Sequence, residues 1–254
     1  MTLPTTPSFR LDGRRALVTG AGRGIGLAIA AALAEAGASV TLMARTTGEI
    51  EAGADAIRAK GLRAEARSFD VLDIAGIRRI VGSLPTFDIF VNNAGANRPS
   101  HFLDVTEEDF DALMQLNVRA GFFAAQAVAR KMADDGVKGS IINISSQSGR
   151  AAAAGRPVYT ISKFAVEGMT KAMAVDLAPK GIRVNSICPT FIETDMTRPS
   201  LNDANFRSFV LSRIKLGRLG AVEDLMGAAV FLASDASSLM TGSSLVVDGG
   251  WTAG

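Results

Sequence analysis

Short apolar runs alternate with longer amphipathic stretches along the whole chain, and no other feature restricts its fold as strongly. "RALVTG" precedes "IGLAIAAALAEAG", "SVTLMA" precedes "GEIEAGADAIRAKG", "RAEARSF" precedes "LDIAGIRRIVGSL", and "FDIFVNN" precedes a helical region from Glu107 to Met132. The rhythm continues through "SIINISS", "VYTISKFAVEGMTKAMAVDLA", "IRVNSIC", "EDLMGAAVFLAS" and "SSLVVDGG". Strands alternating with helices predict a mostly parallel sheet, joined by right-handed crossovers and covered by helices on both faces. The strands read as near-continuous apolar runs because both of their faces are buried in such a sheet. The expected fold class is therefore α/β, a single doubly wound parallel sheet. No linker or shift of composition divides the 254 residues, so 1–254 is expected to be one domain. One segment breaks the rhythm: "DMTRPSLNDANFRSFVLSRIKLGRLG" follows a strand end, where a sheet of this kind keeps its ligands. Residues 195–218 are expected to form a substrate loop or lid.

Composition removes several classes of function. The net charge is only +2, and the basic residues are scattered without aromatic platforms between them, which argues against a nucleic-acid groove. No apolar run reaches the roughly eighteen residues of a membrane helix. The opening "MTLPTTPSF" has neither the basic nor the apolar region of a secretory leader. The one cysteine, Cys188, cannot form an internal disulfide, so a cytoplasmic location is expected and the thiol reads as a small buried hydrophobe. With one histidine, His101, no zinc cluster can be assembled, and no metal is expected.

"LVTGAGRGIGLAIA" places Gly20, Gly24 and Gly26 between an apolar strand and an alanine-rich helix. Glycine there lets the backbone turn sharply and approach a pyrophosphate, while the amides at the helix start favour negative charge. The spacing is T-G-x-x-x-G-x-G. Together with "NNAG" at Asn92 to Gly95 and "YTISK" at Tyr159 to Lys163, it resembles the short-chain dehydrogenase/reductase family along essentially the whole chain. That resemblance implies a Rossmann-type sheet and an enzyme that transfers a hydride between nicotinamide and a carbonyl or secondary alcohol. A cofactor-binding protein without catalysis is the remote alternative, opposed by the filling of all four of the family's catalytic positions.

In "YTISK" the two polar ends lie four residues apart on a helix, so both side chains emerge on one face. Alone, such a pair is commonly a solvated surface; the resemblance makes Tyr159 the general acid/base. Lys163 then favours the phenolate and binds the nicotinamide ribose. Ser146, thirteen residues before Tyr159, matches the serine that holds the substrate oxygen, and strand alternation turns its neighbour Ser145 the other way. Asn117 in "QLNVRAG" matches the asparagine that completes a proton relay, although a helix-interior Asn needs a hydrogen-bond partner in any case. The family's cofactor positions fall on Gly20, Gly22, Arg23, Gly24, Ile25 and Gly26; on Asp70 and Val71 at the adenine; on Asn93, Ala94 and Gly95 along the floor; and on Pro189, Ile192 and Thr194 at the nicotinamide, with Tyr159 and Lys163. One departure stands out: Thr190 follows Pro189 where the family usually has glycine, and a β-branched residue resists positive φ.

The strand "SVTLMARTT" ends without an acid. By resemblance Ala44 occupies the position where NAD users carry the carboxylate that binds the ribose hydroxyls, and Arg45 follows at once. With Arg23 in the glycine turn, this implies NADP(H) as the preferred cofactor and NAD(H) as the alternative. Polar residues expected at the pocket mouth are Asn97, Arg98, Gln147, Arg150, Arg156 and Glu193, with Arg198 and Arg207 on the insertion. Arginine suits carboxylates, and the resemblance extends to gluconate dehydrogenases, so the expected substrate is a sugar acid, polyol or keto acid. Arg98 and Arg150 are the expected carboxylate clamp. The alternative is a 3-oxoacyl-thioester (acyl carrier protein) reductase. The ending "SSLVVDGGWTAG" resembles those of family members that form homotetramers.

Overall fold

A computed structural model describes all residues, 1–254. Strands β1 (Arg15–Thr19), β2 (Ser39–Ala44), β3 (Ala64–Ser68), β4 (Ile89–Asn92), β5 (Ser140–Ile144), β6 (Arg183–Pro189) and β7 (Ser244–Val247) form one sheet. Its order is β3-β2-β1-β4-β5-β6-β7, and every neighbouring pair is parallel. The chain winds outward in one direction from β1 and in the other from β4. Between their carboxyl ends lies the crevice where open sheets of this type bind ligands.

The helices are α1 (Gly24–Glu35), α2 (Thr47–Ala59), α3 (Ile74–Ser83), α4 (Glu107–Met114), α5 (Gly121–Asp134), α6 (Pro157–Leu177), α7 (Arg198–Leu201), α8 (Ala204–Arg213) and α9 (Glu223–Ala233). Strand alternation explains why the strands read as unbroken apolar runs. On β1, Ala16 and Val18 enter a core shared with Leu33 of α1, Ile50 of α2 and Leu232 of α9. Leu17, between them, enters a second core with Ile77 of α3, Val128 of α5 and Ala174 of α6. β4 repeats the pattern, with Ile89 and Val91 on one side and Phe90 on the other. Only the edge strand β3 shows polar alternation, burying Ala64 and Ala66 while Glu65 and Arg67 face water.

Three local features bear on the site. The helical region expected from Glu107 is interrupted by a π-helical turn, Gln115–Ala120, which carries Asn117 into the interior; such turns recur at functional sites. Pro157 starts α6, where its fixed φ suits a first helical turn and its missing N–H is no loss. The segment after β6 folds as α7 and α8, and Phe191, Leu201, Val210, Ile214 and Leu219 form a small core with Trp251 of the C-terminal end. Asp203 caps α8, accepting from the amides of Asn205 and Phe206 at 2.8 and 3.0 Å. No helix is long and apolar enough to cross a membrane.

Candidate active site

The glycine turn has the backbone that its sequence requires. Gly20 and Gly24 hold φ of +63° and +56°, in the region L side chains rarely enter. At Gly26 space is the constraint, because a Cβ would lie 2.3 Å from the Gly20 carbonyl oxygen. Arg23 stands at the N-cap of α1 without a side-chain capping bond, and no acid occupies the first turn. The helix thus presents its amides and the positive end of its dipole toward the crevice. Asn93 fastens this turn to β4: its Nδ2 donates to the carbonyls of Thr19 and Gly20, both at 3.0 Å. Asn92 turns the other way, donating to Asn143 Oδ1 at 3.0 Å inside the sheet.

A cleft of about 290 Å³ opens over this turn. Gly20, Gly22, Arg23, Gly24, Ile25 and Gly26 line it, with Ala44 and Arg45 at the end of β2, Asp70 and Val71 after β3, Asn93 to Gly95 after β4, and Thr194. Arg45 makes no ion pair, and its carbonyl accepts from Ser68 Oγ at 3.1 Å. Arg23 Nη1 lies 3.4 Å from Glu49 Oε1. An anion-receptive helix start, a glycine-walled floor and an uncommitted guanidinium beside Ala44 fit a dinucleotide bearing an extra phosphate at the Arg45 end.

At the other end of the crevice, α6 carries Tyr159 and Lys163 one turn apart, with Lys163 Nζ 5.6 Å from the Tyr159 ring centroid. Lys163 is buried and donates to the Ile144 carbonyl at 2.9 Å, which fixes its ammonium against the end of β5. Ser146 follows β5 directly; its hydroxyl donates to Gln147 Oε1 at 2.5 Å and accepts from the Ser148 amide at 3.1 Å. The Ser145 hydroxyl is buried without a partner, close against Gly149. Asn117 is fully used: Oδ1 accepts from the Ala96 amide at 2.8 Å, and Nδ2 donates to the Ala96 carbonyl at 2.9 Å and to Ser162 Oγ at 3.0 Å. Gly95 is the meeting point, since a Cβ there would lie 3.2 Å from Asn117 Oδ1 and 3.8 Å from Lys163 Nζ.

The chain matches, over residues 20–252, the family model described as enoyl-(acyl carrier protein) reductase. The protein belongs to the short-chain dehydrogenase/reductase family. It is an NAD(P)-dependent oxidoreductase. Among its relatives, gluconate 5-dehydrogenase of Gluconobacter oxydans (strain 621H) is 43% identical over 248 residues, 96% of each chain. D-erythrulose reductase of Gallus gallus is 40% identical over 246 residues, 96% of this chain and 98% of its own. The solved structure of a gluconate 5-dehydrogenase from Burkholderia cenocepacia J2315 in complex with NADP and tartrate superposes with a TM-score of 0.92 at 42% identity, covering 97% of this chain and 98% of that one.

Within this short-chain dehydrogenase/reductase, four expected cofactor residues lie off the cleft wall: Tyr159, Lys163, Pro189 and Ile192. Ile192 is 2% exposed and packs in the core, held there by a parallel bridge to Gly220. Thr190 needs no left-handed backbone, for no residue other than glycine has positive φ, and its amide donates to the Val247 carbonyl at 3.3 Å. Cys188 is buried as expected, its thiol pushed up to about 11 by burial and then by the Glu167 charge. The expected carboxylate clamp is occupied: Arg98 pairs with Asp109 at 2.6 Å and Arg150 with Glu167 at 3.9 Å. Thr46, Glu49, Phe69, Leu116, Asp195 and Met196 also line the cleft and were not anticipated. For Glu49 a signal exists: it lies four residues after Arg45 in the first turn of α2, within reach of the strand end.

Proposed function

We propose that this chain is an NADP(H)-preferring dehydrogenase/reductase of sugar acids, polyols or keto acids, working as a cytoplasmic homotetramer. The observation that carries the reading is the pairing of Tyr159 and Lys163 on α6, in a crevice whose far end offers Arg45 and no strand-end acid. Related proteins named for gluconate, erythrulose and xylulose support the substrate class. Solved relatives with bound NADP support the cofactor.

When bound, the nicotinamide supplies or accepts the hydride. Ser146 turns its hydroxyl from Gln147 to the substrate oxygen and holds it. Tyr159 gives that oxygen its proton in reduction and takes it back in oxidation. Lys163, anchored on the Ile144 carbonyl, places a positive charge 5.6 Å from the centre of the phenol ring. Asn117 keeps Ala96 and the Gly95 backbone in place around that ammonium. Asn93 holds the glycine turn against β4, leaving the backbone of Ala94 and Gly95 as the cofactor floor. Asp70 and Val71 would hold the adenine, and Thr194 would hold the carboxamide. Pro189 and Ile192 shape that end through their backbone.

Residues 195–218 act as the substrate loop, a role suited to a segment that follows β6 and packs Leu201, Val210 and Ile214 into a small separate cluster. Phe110, Phe122, Ile161 and Phe164 leave an apolar face exposed along α4 to α6, which suits subunit contact. The lone free thiol is in keeping with a reducing compartment. A second reading is reduction of 3-oxoacyl thioesters, which share with the enoyl substrate in the family model's description only the acyl-carrier-protein thioester. Initial rates with NADPH on aldonic keto acids, ketoses and acetoacetyl thioesters separate the two; a preference for the thioester would overturn the sugar-acid reading.

A further inference from the structure

The arginines expected at the pocket mouth are not equivalent; none of them lines the cleft over the glycine turn. Beyond Arg98 and Arg150, Arg198 pairs with Asp195 at 2.6 Å and Arg207 with Glu193 at 3.8 Å. Arg156 alone among these five has no carboxylate partner and no side-chain hydrogen bond. Its guanidinium is half-buried, lying 4.7 Å from the Phe191 ring centroid and 5.3 Å from that of Phe206. Aromatic faces compensate part of the lost hydration of such a cation but leave its N–H donors unused. Burial draws the guanidinium below its ordinary value, and the Tyr159 charge offsets this only in part. A desolvated cation with open donors is a strong seat for an anion, stronger than a guanidinium already held by an acid.

Arg156 stands at the N-cap of α6, three residues before Tyr159 and close enough for the Tyr159 charge to act on it. We infer that Arg156 is the carboxylate anchor of the substrate site, selecting acids whose reacting carbon lies several bonds from the carboxylate. A substrate acid held there would extend toward Tyr159, with Phe191 and Phe206 closing the back of the guanidinium against water. This rests on the proposed sugar-acid reading and deepens it, replacing Arg98 and Arg150 as the recognition groups.

The test is calorimetric binding of gluconate, and of sorbitol as the neutral polyol of equal length, to the enzyme with NADP⁺ present, together with gluconate oxidation rates. Arg156→Met keeps the stem against both rings and removes the charge; Arg156→Lys restores a charge without the fork. The expected result is gluconate affinity lowered about 10- to 150-fold in Arg156→Met, the range of a charge-assisted hydrogen bond. Sorbitol and NADP⁺ affinities stay within about twofold, and Arg156→Lys recovers part of the loss. Equal gluconate affinity in wild type and Arg156→Met, an absence of binding in both included, overturns the inference. So does an equal loss for sorbitol. Arg156-dependent gluconate binding without oxidation would support the anchor and contradict the sugar-acid reaction instead.

Discussion

Arg45→Ala should convert this enzyme from one that prefers NADPH to one that does not, and the size of the change follows from what the guanidinium touches. Arg45 has no acid partner, so all of its donors are available to a 2′-phosphate. A charge-assisted hydrogen bond of this kind contributes about 1.5–3 kcal/mol, so KM for NADPH should rise about 10- to 150-fold while KM for NADH stays within about twofold. Arg23 behaves differently, because Glu49 holds it at 3.4 Å with side chains 67% and 37% exposed. A pair so exposed is worth about 0.2–1 kcal/mol, and the phosphate must displace it. Glu49→Gln should therefore tighten NADPH by about two- to fivefold, through release of Arg23 and loss of a repelling carboxylate. Both effects should shrink as salt is raised from 50 to 500 mM, since screening shortens the reach of exposed charges. Steady-state kinetics with both cofactors reads all of this directly. An Arg45→Ala variant that loses NADPH and NADH equally, or loses neither, would refute the reasoning.

Two further outcomes follow from the same structure. Ala44→Asp should raise kcat/KM for NADH and depress it for NADPH by about tenfold or more, because a carboxylate at the strand end binds ribose hydroxyls and repels the 2′-phosphate; an unchanged NADPH/NADH ratio contradicts it. Asp224, held by a fork from Arg218 at 2.6 and 2.7 Å and by the Ala221 amide at 2.8 Å, has its carboxyl lowered to about 2. A depressed folded-state value contributes stability above the unfolded value, near 4, and loses it as pH falls toward 2. Asp224→Asn should thus cost about 1 kcal/mol at pH 7 after allowance for solvent screening, with the gap closing below about pH 4. Urea midpoints at pH 7 and pH 3 measure it, and a gap independent of pH would contradict the assignment.

Much of the fold is written locally. The unbroken apolar runs of β1 and β4 announce burial on both faces, and the T-G-x-x-x-G-x-G spacing fixes a turn that only glycine can make at Gly20, Gly24 and Gly26. That Tyr159 and Lys163 share a helix face is legible from their spacing, while the role given to them rests on the family resemblance. What escaped depends on contacts between distant segments. The π-helical turn at Asn117 is set by Ala96 and Ser162, neither of which is its sequence neighbour. Whether an arginine is free or taken is likewise tertiary: Arg98 and Arg150 look as available as Arg156 until Asp109 and Glu167 fold beside them. Thr190 looked problematic through comparison with glycine, yet β6 delivers it with an ordinary backbone.

The central claim is that Tyr159, the only tyrosine in the chain, carries the proton for a hydride transfer. Tyr159→Phe removes one oxygen atom and leaves the ring above Lys163. Its kcat for the best substrate of the panel should fall about 10²- to 10⁴-fold, the contribution of a positioned general acid/base, with the NADPH dissociation constant within about twofold of wild type. Near-normal turnover by Tyr159→Phe with NADPH would contradict the account.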